Sequence, residues 1–149
     1  MNFKVNEIKV SYKERYPAKS WKKITCSKDG ALLLYELWDK DTIALYETFK
    51  ILLLNNSNKV KGVLELSKGG ITGTLVDIRL LFGIVLKSMS VGIILAHCHP
   101  SGNMKPSRND KEITTKIKNA GDLLDIKLLD HIILAPDGSY YSFADSGLL

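Results

Sequence analysis

Gly92-Ile-Ile-Leu-Ala-His-Cys-His-Pro-Ser-Gly102, followed by Asn103-Met-Lys-Pro-Ser-Arg-Asn-Asp110, is the stretch from which the fold is read. Ile93 to His97 is short and apolar, as a buried strand is. Pro100 and Gly102 end it, and Ser107 opens a helix with Ile113, Ile117, Ala120 and Leu124 on one stripe. The chain has three histidines, His97, His99 and His131, and two of them stand two residues apart. In an extended segment residues i and i+2 share a face, so both imidazoles reach one point at the strand's end, where ligand clefts form. Asp110 follows on the first helical turn, and the intervening loop is long enough to fold back. Two neutral imidazoles, a carboxylate and a fourth position open to water are the donor set of a catalytic zinc site. Taken alone, His-x-His is more often a polar loop. Ser107-x-x-Asp110 is also a capping box variant, and that reading coexists with the first because the cap fixes where Asp110 points. Cys98 faces the other side of the strand and reads as a small buried hydrophobe.

The flanking sequence extends the pattern in both directions. Ser27 and Asp29 are N-cap candidates for a helix through Ala31, Leu34, Tyr35 and Trp38. Glu47 opens a run that continues to Leu54, stops at Asn55-Asn56-Ser57-Asn58 and pairs as a hairpin with Val60 to Leu66. Gly69 to Gly73 breaks the chain again. Val76, Leu80, Leu81, Ile84 and Val85 have helical spacing, with Asp77 where a helix N-terminus prefers an anion. Leu128 to Leu134 reads as a strand, Pro136-Asp137-Gly138 as a tight turn, and Tyr140 to Phe143 as a last strand. Strands alternate with helices around one hairpin, which predicts an α/β fold, a mixed β-sheet flanked by helices.

A length of 149 residues is about one domain's worth. The content is 45% hydrophobic and 25% charged, which excludes collagen-like, coiled-coil and wholly disordered chains. No apolar run approaches the ~20 residues of a membrane helix. The first residues lack an apolar signal core, so a cytoplasmic protein without membrane association is expected. Two cysteines, Cys26 and Cys98, suit a reducing compartment. The net charge of +5 is uneven: residues 1–28 hold eight Lys/Arg against Glu7 and Glu14, a basic lead of +6. That lead divides the chain into residues 1–28 and a domain over 29–149. It offers a contact for DNA or another polyanion, or else is a solvated arm or edge strand, since Phe3, Tyr12, Tyr16 and Trp21 form no stacking pattern along it.

The spacing His97-x-His99-Pro100, then Ser107-x-x-Asp110, resembles the JAMM motif of the MPN/JAB metalloprotease superfamily. The wording around it (ILAHCHPSGNMKPSRNDKEIT, LLDHIILAPDG, YYSFADSGL and ETFKILLLNNSNKVKGVLELSKGGITGT) is similar to the bacterial RadC family over roughly residues 27–149. Cys98 stands where that family commonly has Asn. The resemblance implies an MPN/JAB, cytidine-deaminase-like fold and a JAMM-type zinc metalloprotease. His97, His99 and Asp110 would bind Zn2+, and Ser107 would help hold the attacking water or the developing oxyanion. Glu47 would be the general base, with Glu65 on the adjacent strand as its rival. The substrate would be a peptide or protein, cut at a peptide or isopeptide bond. His131, preceded by Asp130, is expected to be a satisfied core histidine or one supporting a ligand, rather than a ligand itself. The alternative function is a DNA-repair-associated accessory protein that binds nucleic acid through residues 1–28.

Overall fold

The computed structural model describes residues 4–9, 11–70 and 75–149. Its centre is β3 (Gly92–Cys98), buried along its whole length. Beside it run β1 (Thr48–Leu54) and β4 (Lys127–Leu134), with β2 (Val60–Lys68) and the short β5 (Tyr140–Ser142) at the edges. The sheet order is β2-β1-β3-β4-β5. β1 is antiparallel to both β2 and β3, β3 is parallel to β4, and β4 is antiparallel to β5, so the sheet is mixed as expected.

Helices cover both faces of this sheet. α1 (Ser27–Leu37) packs Ala31 and Leu34, with Trp38 just past its end, on Leu52, Leu54, Ile94, Ala96, Cys98, Ile132 and Leu134. α2 (Ile78–Lys87) and α3 (Arg108–Leu123) cover the other face, where Leu81, Phe82, Val85 and Ile117 meet Phe49, Ile51, Leu53, Ile93 and Leu95. Burial on both faces is why β1 and β3 are continuous apolar runs rather than alternating ones. It also assigns sides: Cys98 lies with α1, and His97, one residue earlier, faces α2 and α3. α3 is the crossover between the parallel strands β3 and β4, which carries its first turn back over the end of β3. Gly121 lets the far end of α3 close down, since a Cβ there would stand 2.6 Å from the Ile126 carbonyl oxygen.

Several local expectations are corrected. The N-cap of α1 is Cys26, with no side-chain cap bond. Ser27 and Asp29 lie inside the first turn, and the Asp29 carboxylate accepts from the Thr25 amide (2.8 Å) and hydroxyl (2.6 Å). On α3 the buried stripe is Thr114, Ile117 and Gly121, whereas Leu124 is the exposed C-cap. Its neighbours Ile113 and Ala120 are only partly buried against the core. β5 ends at Ser142, leaving Phe143 buried beyond it. The loose alternation of Phe3, Val5, Ile8, Val10 and Tyr12, which reads as a strand or an extended arm, forms no strand among the described residues. Residues 1–24 contain a 3-10 turn at Ala18–Ser20 and a bridge between Lys23 and Lys59. Phe3, Val10 and Gly73 lie outside the described residues.

Candidate metal centre

Three local structures converge at the C-terminal end of β3. His97 is the last residue but one of the strand and is buried. His99 follows, with its amide donating to the Leu134 carbonyl (2.8 Å) and so extending the β4 pairing one step. The chain then turns through Gly102, whose φ of +79° suits glycine and whose amide donates back to His99 (3.0 Å). Ser107 caps α3 reciprocally with Asp110. The Asp110 amide donates to Ser107 Oγ (3.0 Å), and the Ser107 amide donates to Asp110 Oδ2 (2.8 Å). The capping box aims the carboxylate at the histidines, with Oδ1 3.2 Å from His97 Nε2 and Oδ2 3.4 Å from His99 Nε2. The donor atoms of His97, His99 and Asp110 all lie within 4.8 Å of one another.

Hydrogen bonding fixes which ring nitrogens are bare. A carbonyl oxygen can only accept, so His99 Nδ1, 2.6 Å from the Asn103 carbonyl, carries a proton, and in the neutral ring Nε2 is a lone pair. The same reasoning runs through a longer chain behind His97. Thr114 Oγ1 donates to the Asp110 carbonyl (2.6 Å), so it accepts from His131 Nδ1 (2.6 Å). Burial drives the pKa of His131 far down, so its ring is neutral and Nε2, with the proton on Nδ1, can only accept. It accepts from His97 Nδ1 (2.8 Å), and His97 Nε2 is bare as well. Phe49 stacks on His97 and Phe143 on His131, holding both rings in plane. With both rings neutral, two lone pairs therefore face each other across 2.9 Å beside a carboxylate. Such a donor set is repulsive by itself and is relieved by a shared cation.

The electrostatics agree. Burial would raise the Asp110 carboxyl, yet the adjoining His97 and His99 imidazoles outweigh it and hold the group well below the ordinary range. Burial opposes a charge on His99, but Asp110 and the Asn103 carbonyl push its pKa above the usual value. Two imidazoles and a carboxylate fit zinc by donor type.

The cluster opens into a cavity of about 660 Å³ that is also lined by Glu47, Ser107, Leu75, Val76 and Lys105. Glu47 is anchored just ahead of β1 by backbone bonds to Gly69 and Gly70, and burial raises its carboxyl pKa. Glu65 is exposed on the edge strand, 4.0 Å from Lys68, and does not line the cavity. Cys98 is buried away from the cluster with Sγ 3.4 Å from the Tyr46 carbonyl, and burial pushes its thiol pKa up. Asp130 accepts from the amides of His131 (2.7 Å) and Ala144 (3.0 Å) and from the Ser142 hydroxyl (2.6 Å), fastening the C-terminal segment to β4. Thr114 is the site residue that sequence reading does not single out. Its signal is its place on α3 four residues after Asp110, facing inward.

A family model for the RadC-like JAB domain matches residues 24–148. The chain belongs to the RadC-like JAB domain family. A UPF0758 protein of Flavobacterium johnsoniae is 50% identical over 127 residues, covering 85% of this chain and 54% of that relative. UPF0758 proteins of Porphyromonas gingivalis and Trichlorobacter lovleyi are 44% and 42% identical over 103 residues, 69% of this chain and 45% and 44% of theirs. The JAB domain thus spans about half the length of the curated relatives it matches. Its His97, His99 and Asp110 form a cluster that fits the JAMM motif. Among the described residues no helix is long and apolar enough to cross a membrane.

The support behind His97 gives a direct prediction. Thr114→Val keeps the shape but leaves His131 Nδ1 without its acceptor, which frees the His131 and His97 tautomers. Zinc affinity measured by calorimetry should fall about 10- to 100-fold, the usual effect of losing an outer partner of a ligand. An unchanged affinity would remove the Thr114–His131–His97 chain from the account.

Proposed function

We propose that this JAB domain is a zinc-dependent hydrolase of amide bonds, peptide or isopeptide. The observation that supports it most is the placing of a carboxylate of raised pKa, Glu47, in one cavity with three converged zinc donors. His97 and His99 would hold the ion through their Nε2 atoms, and Asp110 through its carboxylate. Zinc, when bound, would acidify a water and polarise the carbonyl of the bond to be cut.

The chain's own groups supply the remaining steps. Glu47 takes a proton from the attacking water as its oxygen adds to the carbonyl carbon, and delivers that proton to the departing nitrogen as the C–N bond breaks. The water's second proton ends on the amine, so the products are a carboxylate and an ammonium group. Burial suits Glu47 to this exchange because it brings the carboxyl closer to neutral pH than an exposed glutamate. Ser107 Oγ already accepts the Asp110 amide proton, so its own proton is free to be donated to the oxyanion, a contact worth ~3–4 kcal/mol in comparable sites. Leu75 and Val76 offer apolar lining for a substrate side chain, and Lys105 a polar one.

The test is to load the purified domain with zinc and measure cleavage of a peptide and isopeptide library. Zinc-dependent release of new amino termini is expected, and its absence with zinc bound at this site would overturn the reading. Zinc binding should also depend on pH in a definite direction. The ion needs neutral His99, whose pKa is raised, so protons compete up to a higher pH than for an ordinary histidine. Affinity should therefore rise with pH across the neutral range, and fall about tenfold per pH unit once His99 is protonated. A flat profile between pH 6 and 8 would contradict this.

A further inference from the structure

The proposed hydrolysis makes no use of residues 4–24, yet the structure gives them a built surface. Lys23 pairs with Lys59, the Val60 amide donates to the Lys22 carbonyl (2.8 Å), and the Ile24 amide donates to Asn58 (2.9 Å). These bonds lay the lead along the outer end of β2, and Ile24 anchors it in the α1 side of the core. Between lead and strand lies a groove of about 540 Å³ lined by Tyr12, Tyr16 and Trp21 together with Lys13, Arg15 and Lys61. Trp21 Nε1 donates to the Tyr16 carbonyl (2.9 Å), and Lys61 sits over the Tyr12 ring at 4.5 Å. Tyr12 and Tyr16 remain 46% and 73% exposed, so their rings are accessible to a ligand. Among the described residues neither Lys13 nor Arg15 is ion-paired. Tyr12, Tyr16 and Trp21, which form no stacking pattern along the sequence, are gathered into one groove by the fold.

We infer that this groove binds single-stranded nucleic acid, with phosphates on Lys13 and Arg15 and unstacked bases on Tyr12 and Tyr16. The combination selects that occupant. An acidic peptide would use the cations and leave the rings idle, and a duplex keeps its bases stacked out of their reach. The inference stands on residues remote in sequence from the His97 cluster, so it holds or fails independently of hydrolysis there.

The test is fluorescence anisotropy of the whole chain with labelled oligo-dT of twenty nucleotides, across a sodium chloride series. A blunt duplex of equal length and polyglutamate serve as competitors. Binding that weakens with salt is expected, with Tyr12→Ala and Tyr16→Ala each costing about 5- to 100-fold and Arg15→Gln lowering the salt slope by about one. Zinc stoichiometry should be unchanged in all three, which separates a lost contact from a lost fold. Absence of binding at low salt would overturn the inference. So would tyrosine variants that bind like the parent, or competition by duplex or polyglutamate as effective as that by unlabelled oligo-dT.

Discussion

Glu47→Gln should retain zinc at the parent stoichiometry and lose hydrolysis by about 10²- to 10⁴-fold, the span for removal of a general base. The substitution is nearly isosteric, so the cavity keeps its shape and the backbone bonds from Glu47 to Gly69 and Gly70 are untouched. Among the described residues, what disappears is the only carboxylate lining the cavity besides Asp110. Asp110 cannot replace it, because His97 and His99 hold its carboxyl too far down to carry a proton near neutrality. Glu65 is a weak substitute, since it is exposed on β2 and outside the cavity lining. Metal analysis and turnover of the same preparation check the prediction. Undiminished turnover in Glu47→Gln would remove Glu47 from the mechanism.

The second large effect concerns the ligands. Asp110→Ala would confuse two roles, because the carboxylate also accepts the Ser107 amide in the capping box, and losing a cap costs ~0.5–2 kcal/mol by itself. Asp110→Asn separates them. The Asn oxygen can still accept from Ser107, but the negative charge and one donor oxygen are gone. Zinc affinity should drop by more than about 100-fold, beyond the range for outer partners, while the thermal midpoint without zinc changes little. His97→Ala should lose zinc and hydrolysis together, and also strands His131 Nε2 without its donor. Calorimetry and thermal unfolding read both quantities. Zinc bound by Asp110→Asn as tightly as by the parent would show that the carboxylate is only a cap.

How much of this was legible in the sequence depended on the range of the interactions. The strands β1 and β3 could be read because burial on two faces demands unbroken apolar runs, and α2 because Asp77 accepts from the amides of Arg79 and Leu80. His97, His99 and Asp110 were readable because a strand end, a turn and a capping box are local and each fixes a direction. Caps were less secure where a competitor stood nearby, as Thr25 shows by taking the Asp29 carboxylate. Thr114 was hidden because its importance depends on His131, seventeen residues further on and brought close only by the crossover through α3. The aromatic groove was hidden for the same reason, since it exists only where the lead lies against β2.

The most direct test of the central claim is anomalous diffraction at the zinc absorption edge from crystals grown with one equivalent of zinc. A single strong peak is expected within bonding distance of His97 Nε2, His99 Nε2 and an Asp110 oxygen, at a Zn–N separation of about 2.0–2.1 Å. A peak elsewhere, or Asp110 turned away from a peak held by other residues, would contradict it.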